Sequence, residues 1–295
     1  MKKFTGTGVA IITPFKNDLS IDFAALGRVV NHVIAGGVDY IVALGTTGES
    51  VTLTQDEKNA VISYVAEIID GRIPLVVGFG GNNTQDVINA IRKSDLEKVD
   101  GILSVAPYYN KPSQKGIFMH FKAIATCSTA PVIIYNVPGR TACNISADTV
   151  TELANKCENI VAIKESSGDI TQIMKIIKET PDNFSVISGD DIMTLSVIAA
   201  GGSGVISVLA NAFPTVCSNM VNYALKNDYK NARELQFKVL ETIELLFLEG
   251  SPAGVKAFMS ILNICNNTLR LPLTTVSRTT YARIQKVVEE IGTFI

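Results

Sequence analysis

Histidine is nearly absent from this chain of 295 residues, in which only His32 and His120 occur. Each falls in a stretch with helical spacing, and the two lie far apart in the sequence. A Ser-His-Asp triad requires a histidine as its base, and histidine is also a common zinc ligand. The scarcity argues against both kinds of site, and no metal is expected.

Cysteine is also sparse and lacks a ligand pattern. Five cysteines occur at wide spacing, with no C-x-x-C pair: Cys127, Cys143, Cys157, Cys217 and Cys265. Closely spaced pairs would indicate a zinc or redox site, and an even set in a secreted chain would indicate disulfides. We expect reduced, mostly buried thiols, because free cysteine usually behaves as a small hydrophobe.

Neither an excess of positive charge nor a long apolar run is present. Lys and Arg total 26 against 28 for Asp and Glu, so neither nucleic acid nor an anionic membrane is an expected partner. No run would span a bilayer, and the opening residues 1–8 lack the apolar stretch of a signal peptide. A cytoplasmic location is expected.

What the sequence does contain is a series of eight short apolar runs rich in β-branched residues. They occupy residues 9–13, 40–44, 74–77, 101–106, 131–137, 160–163, 184–188 and 204–209. Continuous rather than alternating runs are typical of parallel strands that helices cover. With 47% hydrophobic residues, the chain can bury a large core without disulfides or metals.

Segments with helical spacing separate these runs. Thr54 followed by Glu57 has the order of a capping box, and Asn83 and Ser146 open similar segments. Strict alternation of strand and helix predicts an α/β fold of parallel βαβ units, and eight units close a (β/α)8 TIM barrel. An open doubly wound sheet is the alternative, but residues 78–83 (GFGGNN) lack the G-x-G-x-x-G spacing of a dinucleotide site.

Beyond about Pro214 the sequence shows only helical stretches, such as 231–248 and 252–265, with no linker before them. We therefore predict two regions. Residues 1–225 form the catalytic (β/α)8 barrel, and residues 226–295 form a C-terminal helical extension.

Polar residues follow several predicted strands, and catalytic groups in this type of barrel lie at those C-terminal strand ends. Lys164 ends the run 160–163, and an amine that points inward leaves water, which favours its neutral, nucleophilic form. Tyr135 ends another apolar run, and a buried phenol beside an amine can transfer protons. The alternatives are a lysine that reaches solvent and an ordinary core tyrosine.

Two further groups could bind an anion. Thr46 and Thr47 lie in a turn between Gly45 and Gly48, where hydroxyls and backbone N–H groups are free to meet a carboxylate. Arg140 follows the fifth run in a Pro-Gly-Arg turn, and its planar guanidinium suits a carboxylate held by two hydrogen bonds. The alternatives are a plain turn and a solvated loop arginine.

Four segments, taken in order, resemble the dihydrodipicolinate synthase family: 45–50 (GTTGES), 107–112 (PYYNKP), 135–141 (YNVPGRT) and 162–166 (AIKES). The similarity runs through the predicted barrel and continues more weakly into the helical end. It implies a lyase of the class I aldolase type, which works through a lysine Schiff base and needs no metal or organic cofactor.

The resemblance implies a role for each matching residue. Lys164 forms the imine with pyruvate, Tyr135 relays protons, and Thr46 with Thr47 holds the pyruvate carboxylate. The other matches are Tyr109, which in the family crosses into a neighbouring subunit and completes a relay with Thr47 and Tyr135; Gly189 and Ile206, which offer backbone contacts; and Arg140, which receives the second substrate.

The implied reaction condenses pyruvate with L-aspartate 4-semialdehyde to 4-hydroxy-tetrahydrodipicolinate, at the entry to diaminopimelate and lysine synthesis. The family also implies a homotetramer, a dimer of dimers. The alternatives are a related pyruvate lyase, such as N-acetylneuraminate lyase, and a non-catalytic barrel that binds pyruvate. Residues 138–141 (PGRT) resemble the synthase form and favour the synthase.

Seven positions match the site at which lysine-inhibited members bind the end product: Ser50, Val51, Gln55, Lys58, Asn82, Asp86 and Tyr108. Gln55 and Lys58 stand where histidines are common, and Asp86 stands where a longer glutamate reaches the ligand. Because Lys58 adds positive charge and Asp86 is shorter, weak or absent feedback inhibition by lysine is expected.

Overall fold

The computed structural model describes residues 4–291, in which eight parallel strands close a barrel. Residues 1–3 and 292–295, which the sequence predictions above include, lie outside this range. Each strand pairs with the next, and the first pairs with the eighth, which confirms the predicted (β/α)8 barrel. The strands are β1 (Gly6–Ala10), β2 (Tyr40–Ala43), β3 (Leu75–Gly78), β4 (Gly101–Val105), β5 (Val132–Asn136), β6 (Ile160–Glu165), β7 (Ser185–Ser188) and β8 (Gly204–Ser207).

The strands bury apolar side chains on both faces of the sheet. Val42 and Ile133 point into the barrel and belong to an inner cluster. Ile41 and Ile134 point outward and belong to a larger outer cluster that includes the helices. Burial on both faces explains why these strands read as continuous apolar runs.

Helices connect and cover the strands, and the three predicted helix starts are confirmed. Thr54 forms a full capping box with Glu57, while Asn83 and Ser146 each accept a backbone N–H at the start of a helix. The helices are α1 (Phe23–Ala35), α2 (Gln55–Ile69), α3 (Thr84–Lys93), α4 (Gln114–Cys127), α5 (Pro138–Thr141), α6 (Ala147–Lys156), α7 (Ile170–Glu179), α8 (Thr194–Ala199), α9 (Pro214–Leu225), α10 (Tyr229–Lys238), α11 (Leu240–Phe247), α12 (Ala253–Ile261) and α13 (Arg278–Ile291).

The first strand differs from its predicted position, because β1 spans Gly6–Ala10 rather than 9–13. Its glycines allow a close approach of the next strand. A Cβ added at Gly8 would lie 2.3 Å from the ring of Tyr40. Glycines required for such packing carry no apolar signal, so the sequence pattern placed the strand too late.

Beyond β8, the described chain contains helices but no further strand, and α9 packs against β1 and β8 to complete the outer ring. The stretch 231–248 is not a single helix, because it divides at Val239 into α10 and α11. Helix α11 then borders the C-terminal ends of the barrel strands. Among residues 4–291, no helix is long and apolar enough to cross a membrane.

Candidate active site

A cavity of about 840 Å³ lies at the C-terminal ends of the barrel strands. All strands run in the same direction, so the residues that follow them meet at this end. The predicted site residues in its wall are Thr46, Thr47, Tyr135, Arg140, Lys164 and Gly189. The fold therefore brings together six side chains or backbone groups that are widely separated in the sequence.

Lys164 and Tyr135 are direct neighbours across β5 and β6. They are register partners, and Lys164 Nζ lies 4.4 Å from the centroid of the Tyr135 ring. Lys164 is 5% exposed and Tyr135 is 7% exposed. The amine forms no ion pair with another described residue and lies in the cavity wall beside a phenol, an arrangement suited to imine formation with proton transfer.

Gly189 provides the space that Lys164 occupies. It directly follows β7, and a Cβ built on it would lie 2.8 Å from Lys164 Cε and 2.0 Å from Ser166 Oγ. A larger residue would therefore displace the lysine stem. The Gly189 N–H donates to the Glu165 carbonyl at 2.8 Å, which holds the glycine against the strand that carries the lysine.

The turn after β2 contributes two hydroxyl side chains to the cavity wall. Thr46 is exposed and Thr47 is buried. The Gly48 N–H donates to the Gly45 carbonyl, and the Glu49 N–H donates to the Thr46 carbonyl, both at 3.1 Å. These bonds close a tight turn, whose hydroxyl groups can bind a carboxylate.

Glu49 connects this turn to the C-terminal helices. Its fully buried carboxylate forms an ion pair with Lys256 of α12 and accepts the Arg270 backbone N–H at 3.2 Å. Lys256 Nζ also lies 4.2 Å from the centroid of the Phe15 ring. Burial lowers the pKa of Lys256, and the charge of Glu49 opposes that shift. The C-terminal region thus holds the turn after β2 in place.

Arg140 and Asp190 add charged groups to the same wall. Arg140 lies on α5, is exposed, and forms no ion pair with another described residue. Burial raises the pKa of the Asp190 carboxyl, while the Ile192 N–H and the charge of Lys164 lower it. Because the Arg140 guanidinium forms no ion pair with another described residue, it is available to bind an anionic substrate.

Two of the predicted catalytic and substrate-binding residues do not line the cavity. Tyr109 is 88% exposed, and Ile206 is buried in β8 with its side chain in the inner cluster. The roles assigned to them, a contact from a neighbouring subunit and a backbone contact to substrate, remain predictions.

The predicted regulatory positions divide between the cavity wall and two helices. Ser50, Val51 and Tyr108 line the cavity. Of the others, Gln55 and Lys58 lie on α2, Asn82 precedes α3, and Asp86 lies in its first turn. Their joint function as a regulatory site also remains a prediction.

The sequence does not single out several residues of the wall. Ser166 and Asp190 lie directly beyond strand ends, where the rule that located Lys164 also finds them, but nothing in the sequence assigns either a role. Ile243, Glu244 and Phe247 come from α11, which the sequence gives no reason to place over this cavity.

The described residues include no cluster of three or more His, Cys, Asp or Glu side chains that could hold a metal ion. His32 and His120 both lie outside the cavity wall, and burial lowers the pKa of each, to about 4 for His120. Four of the five cysteines are buried and Cys127 is half-buried, which confirms that they are mostly buried.

Comparison with known proteins gives one consistent result. The model of the dihydrodipicolinate synthetase family matches residues 3–291. A 4-hydroxy-tetrahydrodipicolinate synthase from Flavobacterium psychrophilum is 49% identical over 292 residues, which cover 99% of this chain and 100% of the relative. The crystal structure of dihydrodipicolinate synthase from Aquifex aeolicus superposes with a TM-score of 0.95 at 40% identity and covers 98% of both chains.

A second solved structure includes a small molecule. The chloride-inhibited dihydrodipicolinate synthase from Acinetobacter baumannii, complexed with pyruvate, has a TM-score of 0.95 at 35% identity and covers 98% of this chain and 99% of that one. The fold, the family model and the curated relatives agree over nearly the whole length. This chain belongs to the dihydrodipicolinate synthetase family.

Proposed function

We propose that this chain condenses pyruvate with L-aspartate 4-semialdehyde to give 4-hydroxy-tetrahydrodipicolinate. The observation that carries the proposal is the contact of Lys164 Nζ with the Tyr135 ring in the wall of the cavity. Relatives named for this synthase activity match the chain over nearly its whole length. The protein is a lyase of the class I aldolase type.

The first half of the reaction forms an imine. Lys164 Nζ attacks C2 of pyruvate, and the resulting carbinolamine loses water to leave a protonated imine. We assign the proton transfers of this step to Tyr135, whose ring lies beside the amine. Thr46 and Thr47 hold the pyruvate carboxylate from the neighbouring turn.

The second half forms the carbon–carbon bond. A proton leaves C3 of the bound pyruvate, and the protonated imine accepts the electron pair to give an enamine. The enamine carbon attacks the aldehyde of the semialdehyde, whose oxygen takes up a proton, while Arg140 holds its carboxylate. The substrate amine then attacks the imine carbon, displaces Lys164 and closes the ring.

The same proposal assigns supporting roles to three further residues. Gly189 and Ile206 offer backbone groups to bound substrate. Tyr109 of a second copy completes a proton relay with Thr47 and Tyr135. The high exposure of Tyr109 in the single chain supports a contact of this kind.

We propose a homotetramer built as a dimer of dimers, located in the cytoplasm. Large apolar side chains are strongly exposed on the single chain, among them Val51, Tyr109 and Leu271. Exposed apolar side chains of this size are often covered in an assembly. Sedimentation velocity of the purified protein tests the tetramer, and a monomer would contradict it. Fractionation of cells tests the cytoplasmic location.

A sugar-acid lyase and a non-catalytic barrel remain as contrasting hypotheses, but the comparisons do not favour them. The exposed Arg140 in the wall supports an acceptor that carries a carboxylate. Condensation rates with aspartate 4-semialdehyde and with N-acetylmannosamine separate the two enzymes. A faster reaction with N-acetylmannosamine would instead assign the protein as a sugar-acid lyase.

Reduction with borohydride in the presence of pyruvate tests the Schiff base directly. We expect peptide mass mapping to find the reduced pyruvyl adduct on Lys164. The Lys164→Ala variant, which removes the amine but leaves the strand intact, should show no adduct and almost no turnover. An adduct on a different lysine, or none at all, would overturn the mechanism.

A further inference from the structure

Strand β6 contains an irregularity just before the catalytic lysine. Ile160 and Ile163, three positions apart, both belong to the outer cluster. The adjacent residues Val161 and Ala162 both pack against the inner cluster. Side chains of a regular strand alternate between faces, so one extra residue is accommodated here as a bulge. The pairing of β5 with β6 shifts by one residue at the same place.

This bulge determines which residue faces Tyr135. With it, Lys164 pairs with Tyr135 and Glu165 pairs with Asn136. If β6 continued regularly from Ile160, Lys164 would point outward and Glu165 would point into the barrel. A one-residue slip of this kind turns every later side chain to the opposite face. Of these two registers, only the bulged one supports chemistry at Lys164.

A pair of hydrogen-bonded side chains holds the productive register. Asn136 is fully buried and Glu165 is 1% exposed, and both point outward behind the catalytic pair. Asn136 Nδ2 donates to the Glu165 carboxylate oxygens at 3.0 and 3.1 Å. Glu165 also accepts the Ser167 N–H at 2.7 Å and Gln172 Nε2 at 3.1 Å. The carboxylate is thus tied to β5, to its own loop and to α7.

Asn136 carries the same connection into the loop that contains Arg140. Its Nδ2 donates to Asn144 Oδ1 at 2.7 Å, and its Oδ1 accepts the Ile145 N–H at 2.9 Å. These bonds fix the end of the segment that begins with α5. The buried amide of Asn136 therefore connects the segment that carries Arg140 to the strand that carries Lys164.

We infer that Asn136 and Glu165 are positioning residues that lock the bulged register of β6 and so set Lys164 against Tyr135. The inference deepens the proposed function, and its catalytic consequence rests on that function. Neither residue lines the cavity, so neither is expected to touch substrate.

The Asn136→Ala variant tests the lock, with Asn159→Ala as its matched control. Asn159 lies one residue before β6, at the opposite end of the barrel, and donates to the Ala125 and Ser128 carbonyls at 2.6 and 3.4 Å. Both variants lose side-chain hydrogen bonds beside the same strand. We expect pyruvate trapping on Lys164 to slow by about 10²-fold in Asn136→Ala, the scale of a 1 Å misplacement, and to stay near the normal rate in Asn159→Ala.

An exchange of the two functional groups provides a rescue. Asn136→Asp and Glu165→Gln should each slow trapping, because each leaves mismatched groups face to face in a buried site. In the double variant a carboxylate again faces an amide, and the Asn144 and Gln172 amides can turn to suit. Recovery of most of the trapping rate in the double variant supports the lock, and additive losses overturn it.

Amide hydrogen exchange separates failure of this inference from failure of the proposed function. The Ser166 N–H donates to the Asn136 carbonyl at 2.8 Å, and its protection reports the register without any substrate. Loss of protection in Asn136→Ala, with Asn159→Ala unchanged, supports the lock even if the unaltered protein traps no pyruvate. Equal protection and equal trapping in both variants would reduce Asn136 to an ordinary structural residue.

Discussion

Two basic side chains in the cavity differ in exposure, and the difference suits different tasks. Lys164 is nearly buried on a strand, where its position is set before any substrate arrives. Arg140 is exposed on the short helix α5, where water can leave its guanidinium as a ligand binds. A rigid group suits covalent chemistry, and a hydrated planar fork suits the capture of a second, charged substrate.

Removing the guanidinium should therefore affect one substrate more than the other. We expect Arg140→Ala to raise the KM for aspartate 4-semialdehyde by roughly 10- to 150-fold, since a charged hydrogen-bonded contact contributes about 1.5 to 3 kcal/mol. The KM for pyruvate should change little. Steady-state kinetics with each substrate varied in turn measures both, and equal effects on the two KM values would remove Arg140 from the assigned role.

Gly189 allows a steric test of the lysine position. In Gly189→Ala the added Cβ would meet Lys164 Cε and Ser166 Oγ well inside normal contact distance. We expect pyruvate trapping on Lys164 to fall severely while the protein still folds. The control is Gly116→Ala on α4, away from the cavity, where the new Cβ would lie 3.3 Å from Pro112. Trapping at a normal rate in Gly189→Ala would show that the Lys164 side chain can reach pyruvate in another conformation.

At this scale the sequence could predict the residues whose position follows from a strand end. Lys164, Tyr135 and Thr47 each lie at or just beyond an apolar run, and the structure places all three in the cavity wall. Glu165 and Asn136 occupy equivalent strand ends but point the other way. Asn136 points outward because β5 alternates regularly past Tyr135. The direction of Glu165 depends on the bulge in β6, which no apolar pattern in a single strand reveals.

Between elements, one buried ion pair connects α12 to the turn after β2. Lys256 and Glu49 are both fully buried, and Lys256 Nζ also donates to the Thr268 carbonyl at 2.8 Å. Arg270, just beyond, forms hydrogen bonds with Glu57 at the start of α2. The extension is therefore attached to the barrel through charges as well as through apolar contacts.

Breaking that pair should destabilise the protein much more than breaking an exposed one. We expect Lys256→Met to lower the free energy of unfolding by about 3 to 5 kcal/mol, because Glu49 would stay buried without its partner. Lys175→Met is the control, since Lys175 and Asp148 form an exposed ion pair at 2.8 Å. Urea unfolding measures both, and similar losses in the two variants would contradict the assigned importance of burial.

Helices α3 and α4 meet at a buried histidine that should make stability depend on pH. His120 Nδ1 lies 2.9 Å from Thr84 Oγ1, and burial lowers the pKa of His120 from 6.5 to about 4. Between these values the unfolded chain binds a proton that the folded chain does not, so stability falls on acidification. The stability that the neutral, buried His120 contributes is fully present above pH 6.5 and is lost as the pH falls to about 4.

The His120→Gln variant tests this dependence. Glutamine can keep a polar contact with Thr84 but does not titrate, so the loss of stability between pH 6.5 and 4 should shrink by on the order of 2 to 3 kcal/mol. Urea unfolding across that range measures the slope. His32, whose pKa burial also lowers, stays in both proteins and serves as a constant background. Parallel curves for the two proteins would show that His120 does not account for the acid sensitivity.

For the whole molecule, the sequence was sufficient to predict a closed eight-stranded barrel. It was insufficient to predict which helices and loops cover the ends of that barrel. Alternation of strand and helix implies the order of the strands, and the end at which catalytic groups meet follows from their common direction. Contacts made by α11 and α12 depend on where the chain turns at Val239 and beyond. Tyr109 is 88% exposed on the single chain, and the task proposed for it concerns an assembly rather than one copy.

The predicted regulatory site also concerns the proposed assembly, because the family resemblance implies that lysine binds between subunits. Lys58 is half-buried on α2, and burial lowers its pKa because the charged form loses hydration. Asp86 Oδ2 already accepts a hydrogen bond from Asn83 Nδ2 at 2.8 Å, within its own helix start. Lys58 forms no ion pair with another described residue. Asp86, which stands where inhibited members carry a longer glutamate, is already hydrogen-bonded at the start of its own helix.

These features predict weak or absent feedback inhibition by L-lysine, which is a net cation. At an effective dielectric of about 20, two unit charges about 7 Å apart repel by roughly 2 kcal/mol, and about 1.4 kcal/mol already corresponds to a tenfold loss of affinity. Initial rates should therefore stay nearly constant up to about millimolar lysine. The double variant Lys58→His and Asp86→Glu removes the fixed charge near neutral pH and lengthens the carboxylate, so it should gain inhibition at lower lysine concentrations. Strong partial inhibition of the unaltered protein by sub-millimolar lysine would show that Lys58 turns away from the ligand or binds its carboxylate instead.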